Sequence, residues 1–417
     1  MKKNGLTIIL LLLLTMAFTL FGKTGNGTVV WAATEGVAAQ TSIEMVCNGI
    51  KLESTMNQAI GTSNQLYLYN NTLKTGTYSL KWISSKPAIA KVNAKDGTIE
   101  ALTEGTTVVT CVLKVGQVQY QYSCQVTVTD PQFSQDTYYI RSNEKTVLPI
   151  NGSSTKNHFF ISSNDAIVTD GANGTSVVGK KAGTAYITVE VDRRYISCRV
   201  VVSAPKINYS NLFLTTDKAA SLTVTGHWKK SPVTFTSSNK SIVTVTSKGY
   251  VKAIKRGSAV ITITVDGRVY SCYVAVSKSG ITDSLNRAYK ALGSKYSQTY
   301  RMKKGYYDCS SLVWRSYSPS GYLFGNKSYA PTAAYQANRL VKEKKVLAYE
   351  GISQSKLLPG DVIYLKGSTN NGRYKNISHV AIYIGNGRIL HAKDEKGGVC
   401  IESYNTYKKR IVVIGRL

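Results

Sequence analysis

One thiol and two imidazoles are the side chains of this 417-residue chain best placed for covalent chemistry. The chain has four histidines, and two of them, His379 and His391, bound one segment near its C-terminal end. Cys309 stands in Tyr307-Asp308-Cys309-Ser310-Ser311-Leu312-Val313. Asp308 is a good helix cap, which puts Cys309 in the first turn of a helix. There the helix dipole and free backbone N–H groups stabilise a thiolate. A thiolate, an imidazole base and a third polar group that orients the base are the parts of nucleophilic acyl transfer. A cysteine and two histidines could instead hold zinc, but no fourth ligand is evident and we expect no metal. Buried core cysteine and structural histidines are the bland alternative, and they leave the pairing of the two imidazoles unexplained.

Whether the histidines can cooperate depends on strand register. His379-Val380-Ala381-Ile382-Tyr383-Ile384 and Arg388-Ile389-Leu390-His391-Ala392 read as a hairpin around Gly385-Asn386-Gly387. A two-residue Asn386-Gly387 turn would set His391 opposite Ile382, on the face away from His379. A three-residue loop would pair Ile384 with Arg388 and Ala381 with His391. The second register puts Val380, Ile382, Leu390 and Ala392 on one apolar face and His379, Ala381, Tyr383 and His391 on the other. It makes the histidines diagonal neighbours within side-chain reach, and we expect it, with Gly387 in the left-handed conformation.

The elements around these residues mix helix and strand. Ile281 to Leu292 and Thr332 to Lys345 show helical periodicity, with Thr332 as a cap. Strands are expected at Asp361–Leu365, His379–Ile384, Arg388–Ala392 and Ile411–Ile414. Helices followed by an antiparallel set of strands indicate an α+β domain over 281–417, after a Ser277-Lys278-Ser279-Gly280 linker.

Ahead of it one unit occurs three times. Trp82-Ile83-Ser84-Ser85, Phe160-Ile161-Ser162-Ser163 and Phe235-Thr236-Ser237-Ser238 correspond, as do Gly97, Gly174 and Gly249, then Gly105, Gly183 and Gly257. Each unit closes on a cysteine strand, at Cys124, Cys198 and Cys272. The runs are short, β-branched and broken by turn residues, as in small β-sandwiches with an aromatic between the sheets. Ala259–Val265, Asp266-Gly267 and Arg268–Tyr270 read as a hairpin on a two-residue turn. We divide this part into 40–130, 131–204 and 205–277. The repeated cysteine is expected to be a small buried apolar residue. Cys47 and Cys111 leave room for one bridge in the first unit. His158 and His227 receive no role.

Composition bounds the setting. Forty-three per cent hydrophobic residues and 18% charged exclude a disordered chain, and the length calls for several domains. Lys2 and Lys3, the apolar run Leu6 to Phe21 and the small residues Val30-Trp31-Ala32-Ala33 make residues 1–33 an export signal. The rival reading, a retained anchor, is short for a bilayer span, so no membrane anchor is expected after cleavage. The net charge of +29 favours anionic partners. Export argues against nucleic acid and for wall polymers, and the charge is densest, at +15, over 281–417. Seven cysteines in so long a chain exclude a disulfide-stapled miniature domain.

The three repeats resemble bacterial immunoglobulin-like domains of the second group. The C-terminal region resembles the NlpC family of cell-wall cysteine endopeptidases, with a papain-like α+β fold. That resemblance rests on Asp308-Cys309-Ser310, Leu357-Leu358-Pro359-Gly360-Asp361-Val362, Ser378-His379-Val380-Ala381-Ile382-Tyr383-Ile384-Gly385 and Ile389-Leu390-His391-Ala392, in the family order. It implies a secreted, cofactor-free peptidoglycan hydrolase that cleaves stem peptides, commonly between D-glutamate and a diamino acid. It implies Cys309 as nucleophile, His379 as base and His391 as the orienting residue. It offers Asp308 and Ser310 as a site for the free amine of the stem peptide, and Tyr296 as a pocket tyrosine. Two departures stand out: Ser311 replaces the family's glycine, and Tyr300-Arg301-Met302-Lys303-Lys304 replaces its Gly-Gly stretch. The competing functional reading is a surface adhesin or scaffold with an inactive peptidase-like domain.

Overall fold

The computed structural model describes residues 22–24, 27–30, 44–154, 158–171 and 176–417. The apolar run Leu6 to Phe21 lies outside the described residues. Gly22–Thr24 and Gly27–Val30, inside the segment read as an export signal, form strands, and Gly27–Val30 pairs antiparallel with Val118–Thr129. Among the described residues no helix is long and apolar enough to cross a membrane.

Between residues 55 and 277 the alternating β-branched runs fold into three successive sandwiches with one strand order. In the third, a sheet of Asn211–Thr215, Arg268–Ser277, Gly257–Val265 and Thr234–Ser237 faces a sheet of Ala219–Ser221, Tyr250–Ala253 and Val243–Val245. The second repeats this order with Thr137–Arg141, Arg194–Ser203, Gly183–Val191 and Ile161–Ser162 against Lys145–Val147, Ser176–Gly179 and Val168–Asp170. The first does so with Thr55–Ala59, Val118–Thr129, Gly105–Val115 and Tyr78–Ser84. Trp82 and Phe160 are buried in their cores and Phe235 is partly buried in the third. Cys124, Cys198 and Cys272 are buried in equivalent places. All seven cysteines are free thiols, so the bridge considered for the first unit is not formed. The turn after Val265 is the expected Asp266-Gly267 pair, both at positive φ, with Val265 facing Arg268.

The repeated glycines have a steric cause. Gly105, Gly183 and Gly257 open the long central strands at φ +143°, +156° and +149°. A Cβ on each would meet the Cδ1 of Ile89, Ile167 or Ile242 at 2.9, 2.6 or 2.7 Å. The same isoleucine presses the same backbone in all three units, and only glycine lets it approach.

The chain divides between Val202 and Ser203 into two compact units. The second unit joins the third sandwich to the C-terminal domain. The expected linker is not a linker: the last sandwich strand ends at Ser277 and a helix starts at Ser279. Phe213 and Ala275 of the sandwich lie in the same buried cluster as Leu285 and Leu312. Ser277 Oγ donates to the Pro359 carbonyl at 2.7 Å, Thr282 Oγ1 to the Leu214 carbonyl at 3.2 Å.

In the C-terminal domain three helices, Ser279–Lys290, Cys309–Tyr317 and Ala333–Lys342, pack on an antiparallel six-stranded sheet. Its order is Val346–Ala348, Ile411–Gly415, Val362–Lys366, Ile377–Gly385, Arg388–Ala392 and Val399–Ser403. The first and last of these were not expected from the sequence. The helices cover the face of Val380, Ile382, Leu390 and Ala392. Ala381, Tyr383 and Ile389 on the other face pack with Tyr404 and Tyr407.

Gly257→Ala should strain the backbone and push on Ile242, at a cost of about 1–3 kcal/mol. A thermal melt should then show the Ser203–Leu417 unit unfolding roughly 2–10 °C lower. An unchanged transition would remove the steric explanation of the repeated glycine.

Candidate active site

The cysteine helix begins where the side chains dictate. Asp308 Oδ1 accepts from the Ser311 backbone N–H at 2.6 Å, and Ser311 Oγ accepts from the Asp308 backbone N–H at 2.9 Å. This is a complete capping box, and it explains why serine is at home where the family has glycine. Leu312, Val313 and Tyr317 are buried beneath the helix, which fixes Cys309 at its first position.

Arg301 closes over this helix start. Its guanidinium lies 2.9 Å from Asp308 Oδ2 and donates to Ser310 Oγ at 3.1 Å and to the Ala330 carbonyl at 2.8 Å. The two side chains of the ion pair are 11% and 8% exposed. Asp308 and Ser310 are thus engaged by the chain's own cation. Tyr296 is half-buried, and its phenol pKa is raised, first by burial and also by Cys309 and Asp308 nearby.

The histidine hairpin has the expected register with a different turn. Gly385 pairs with Arg388 across a two-residue Asn386-Gly387 turn, both at positive φ. A bulge follows at once, so that Tyr383 faces Ile389 and Ile382 faces Leu390. The three-residue loop is therefore corrected to a tight turn plus one extra residue, the usual partner of a glycine in a bulge. The extra residue keeps both histidines on one face. Sandwich residues hold this turn: Asn386 donates its backbone N–H to Ser258 Oγ at 2.9 Å and its amide to the Ala259 carbonyl at 3.3 Å. The Arg388 guanidinium stacks 3.6 Å over the Tyr273 ring. A Cβ at Gly385 would meet that of Ser258 at 2.6 Å.

His379 Nε2 and His391 Nδ1 are hydrogen-bonded at 2.9 Å, with the rings edge to face. His391 is fully buried, and its Nε2 lies 3.1 Å from Glu402 Oε2. Glu402 also takes hydrogen bonds from Tyr407 and, at 2.9 Å, from Lys393. The strand that carries Glu402 was missed in the sequence; its one signal was the short apolar run Val399-Cys400-Ile401.

The structure joins the two histidines directly. It sets Cys309 against the backbone of Val380, the residue after His379. Among the described residues no hydrogen bond links the thiol to the ring, and His379 Nδ1 has no protein partner.

Burial decides the resting charges. It pushes the Cys309 thiol up to about 12, assisted by the Asp308 carboxylate and opposed by the Val380 and Ser310 backbone N–H groups and Arg301. The thiolate expected from the helix start is thus outweighed by desolvation. Burial, then His391, lowers His379 to about 3, and burial also lowers His391. The resting pair is neutral thiol and neutral imidazole. Ligand atoms of His391, Cys400 and Glu402 lie within 4.8 Å of one another, close enough for a metal ion. The Lys393 ammonium already sits on that carboxylate, and Cys309 is not in the group.

Residues 289–416 match the NlpC/P60 family, and residues 201–273 match the bacterial Ig-like domain of group 2. Residues 289–416 thus form an NlpC/P60 domain. The chain is accordingly a multidomain protein in which a bacterial Ig-like domain precedes this NlpC/P60 domain. Among solved structures, a protein similar to a lipoprotein of the NLP/P60 family from Staphylococcus aureus is 22% identical (TM-score 0.25); the match covers 33% of this chain and 41% of that one. The NlpC/p60 domain of the peptidoglycan hydrolase SagA is 23% identical over 33% of this chain and 99% of its own (TM-score 0.24). The peptidoglycan hydrolase RipB from Mycobacterium tuberculosis is 20% identical over 33% and 64% (TM-score 0.24). Among curated proteins, none matches.

Both histidine pKa values are lowered in the fold, so the unfolded chain binds more protons as pH falls below about 6.5. Stability should therefore fall as pH drops from about 6.5 towards 3. With His379 as the base proposed below, the acid limb of kcat/KM, which reports groups of the free protein, should lie well below the ordinary histidine range. An acid limb centred near pH 6.5 would contradict the buried neutral base.

Proposed function

We propose that this chain is exported and hydrolyses peptide bonds in peptidoglycan stem peptides, with Cys309 as nucleophile, His379 as base and His391 as the residue that orients it. The observation that carries this reading is the bond from His379 Nε2 to His391 Nδ1, which leaves Nδ1 as the basic nitrogen in a domain whose cysteine starts a helix beside Val380. In this mechanism His379 Nδ1 takes the thiol proton as sulfur attacks the scissile carbonyl. The same proton passes to the leaving amine as the C–N bond breaks, leaving a thioester. Water, deprotonated by the same nitrogen, releases the acid and restores the thiol. The family resemblance supports the bond between D-glutamate and a diamino acid as the one cut, and Tyr296 as a wall of the pocket.

Arg301 bears on the other end of the stem. A free ammonium at Asp308 and Ser310 would share one nearly buried carboxylate with a guanidinium and leave the site one positive charge in excess. An acylated nitrogen carries no charge and avoids that cost. The substrate we infer is therefore a stem peptide still attached through its N-terminus to the glycan.

Cys309→Ser should lower release of stem fragments from purified peptidoglycan, read by mass spectrometry, on the order of a thousandfold or more with the fold intact. Cleavage at near wild-type rate would refute the nucleophile. N-acylated stem peptides should exceed their free-amine counterparts in kcat/KM by about tenfold or more, and Arg301→Gln should shrink that preference. A wild-type preference for the free amine would overturn the reading of Arg301.

A further inference from the structure

A carboxylate stands behind the two rings, and it determines where their protons are. Glu402 lies on the edge strand Val399–Ser403, which pairs with the strand of His391. Its Oε2 faces His391 Nε2 at 3.1 Å, while Tyr407 donates to the same oxygen and Lys393 to the other. Burial alone would push the Glu402 carboxyl up, but these donors hold it below its usual value. It is ionised and can only accept.

The consequences run inward one atom at a time. His391 Nε2 must carry a hydrogen. A neutral imidazole carries one, so His391 Nδ1 is bare and accepts from its neighbour. His379 Nε2, 2.9 Å away, must therefore be the donor. His379 is neutral as well, so its proton is spent on Nε2 and Nδ1 presents a lone pair.

Resting on the catalytic reading of Cys309, His379 and His391, we propose that Glu402 is a positioning residue that sets the tautomer of both histidines and so delivers a bare His379 Nδ1 to the nucleophile. Remove its charge and the opposite polarity becomes available: His391 Nδ1–H donates to His379 Nε2, and the His379 proton moves to Nδ1, where it blocks the base. Glu402 also stabilises the imidazolium that forms during turnover, through the same two bonds. Lys393 and Tyr407 keep the carboxylate aimed, and Cys400 lies opposite His391 on the same strand pair.

The test uses the full chain. In wild-type protein with ¹⁵N-labelled histidine, NMR should show the hydrogen on Nε2 of both His379 and His391, with both Nδ1 atoms bare. A His391 hydrogen on Nδ1 would overturn the proposal whatever any variant does. Glu402→Gln keeps the shape but can donate as well as accept. In a serine triad, the matching change of carboxylate to amide lowers turnover about ten-thousandfold through the wrong tautomer. Glu402 acts one ring further out, so we expect kcat to fall roughly ten- to hundredfold with KM within about twofold, and the His379 resonances to shift towards the Nδ1–H form. Unchanged kcat and unchanged ring shifts in folded Glu402→Gln would also overturn it. If instead Cys309→Ser and His379→Ala keep wild-type turnover, it is the catalytic reading that fails.

Discussion

The hydrogen bond between His379 and His391 depends on one extra residue in a hairpin. Had the tight Asn386-Gly387 turn continued into an unbroken ladder, His391 would face away from His379. The bulge beside Gly385 restores the alternation and sets His379 against His391, whose ring in turn meets Tyr407 and Glu402. The apolar residues of the same strands then face the helices that carry Cys309. Core packing and the alignment of the imidazoles are two results of one register, so the hydrophobic pattern that stabilises the sheet also enforces the chemistry.

The site trades charge for position. Asp308 caps the helix that holds Cys309, yet burial, and after it the Asp308 carboxylate, makes the thiolate harder to form. The backbone N–H groups and Arg301 offset part of that. In the catalytic reading we propose, a neutral, desolvated pair becomes reactive when a substrate supplies the developing charge and the proton has a prepared acceptor. The ordered run of partners behind His379 is what prepares it.

Much of this was legible in the residues. Asp308 as a cap, the helix after it and the shared face of His379 and His391 follow from local rules of capping and alternation. The three-fold repeat of aromatic, glycine and cysteine positions announced the sandwiches, and the glycine-isoleucine contacts explain why Gly105, Gly183 and Gly257 recur. Other features were not legible, because they depend on distant pairing. The strand of Glu402 is short and half-exposed, with no strong periodicity of its own. Arg301 lies in a charged loop that reads as solvated, and only the fold brings its guanidinium to Asp308. The bulge beside Gly385 could be inferred only as a register, since two turn geometries produce the same facing of side chains. The thiol's burial is set by the helices and sheet together, which no local pattern reports.

The turn of the histidine hairpin rests on Ser258, Ala259 and Tyr273, all from the third sandwich. Modular proteins are commonly pictured as beads that recombination can reorder. Here the last bead and the enzyme share a seam, with a single residue, Lys278, between strand and helix. The unit that can be transplanted intact is then residues 203–417 rather than the peptidase domain alone. A lineage that exchanged this sandwich for another would have to rebuild the seat of the turn before it regained the alignment of its imidazoles.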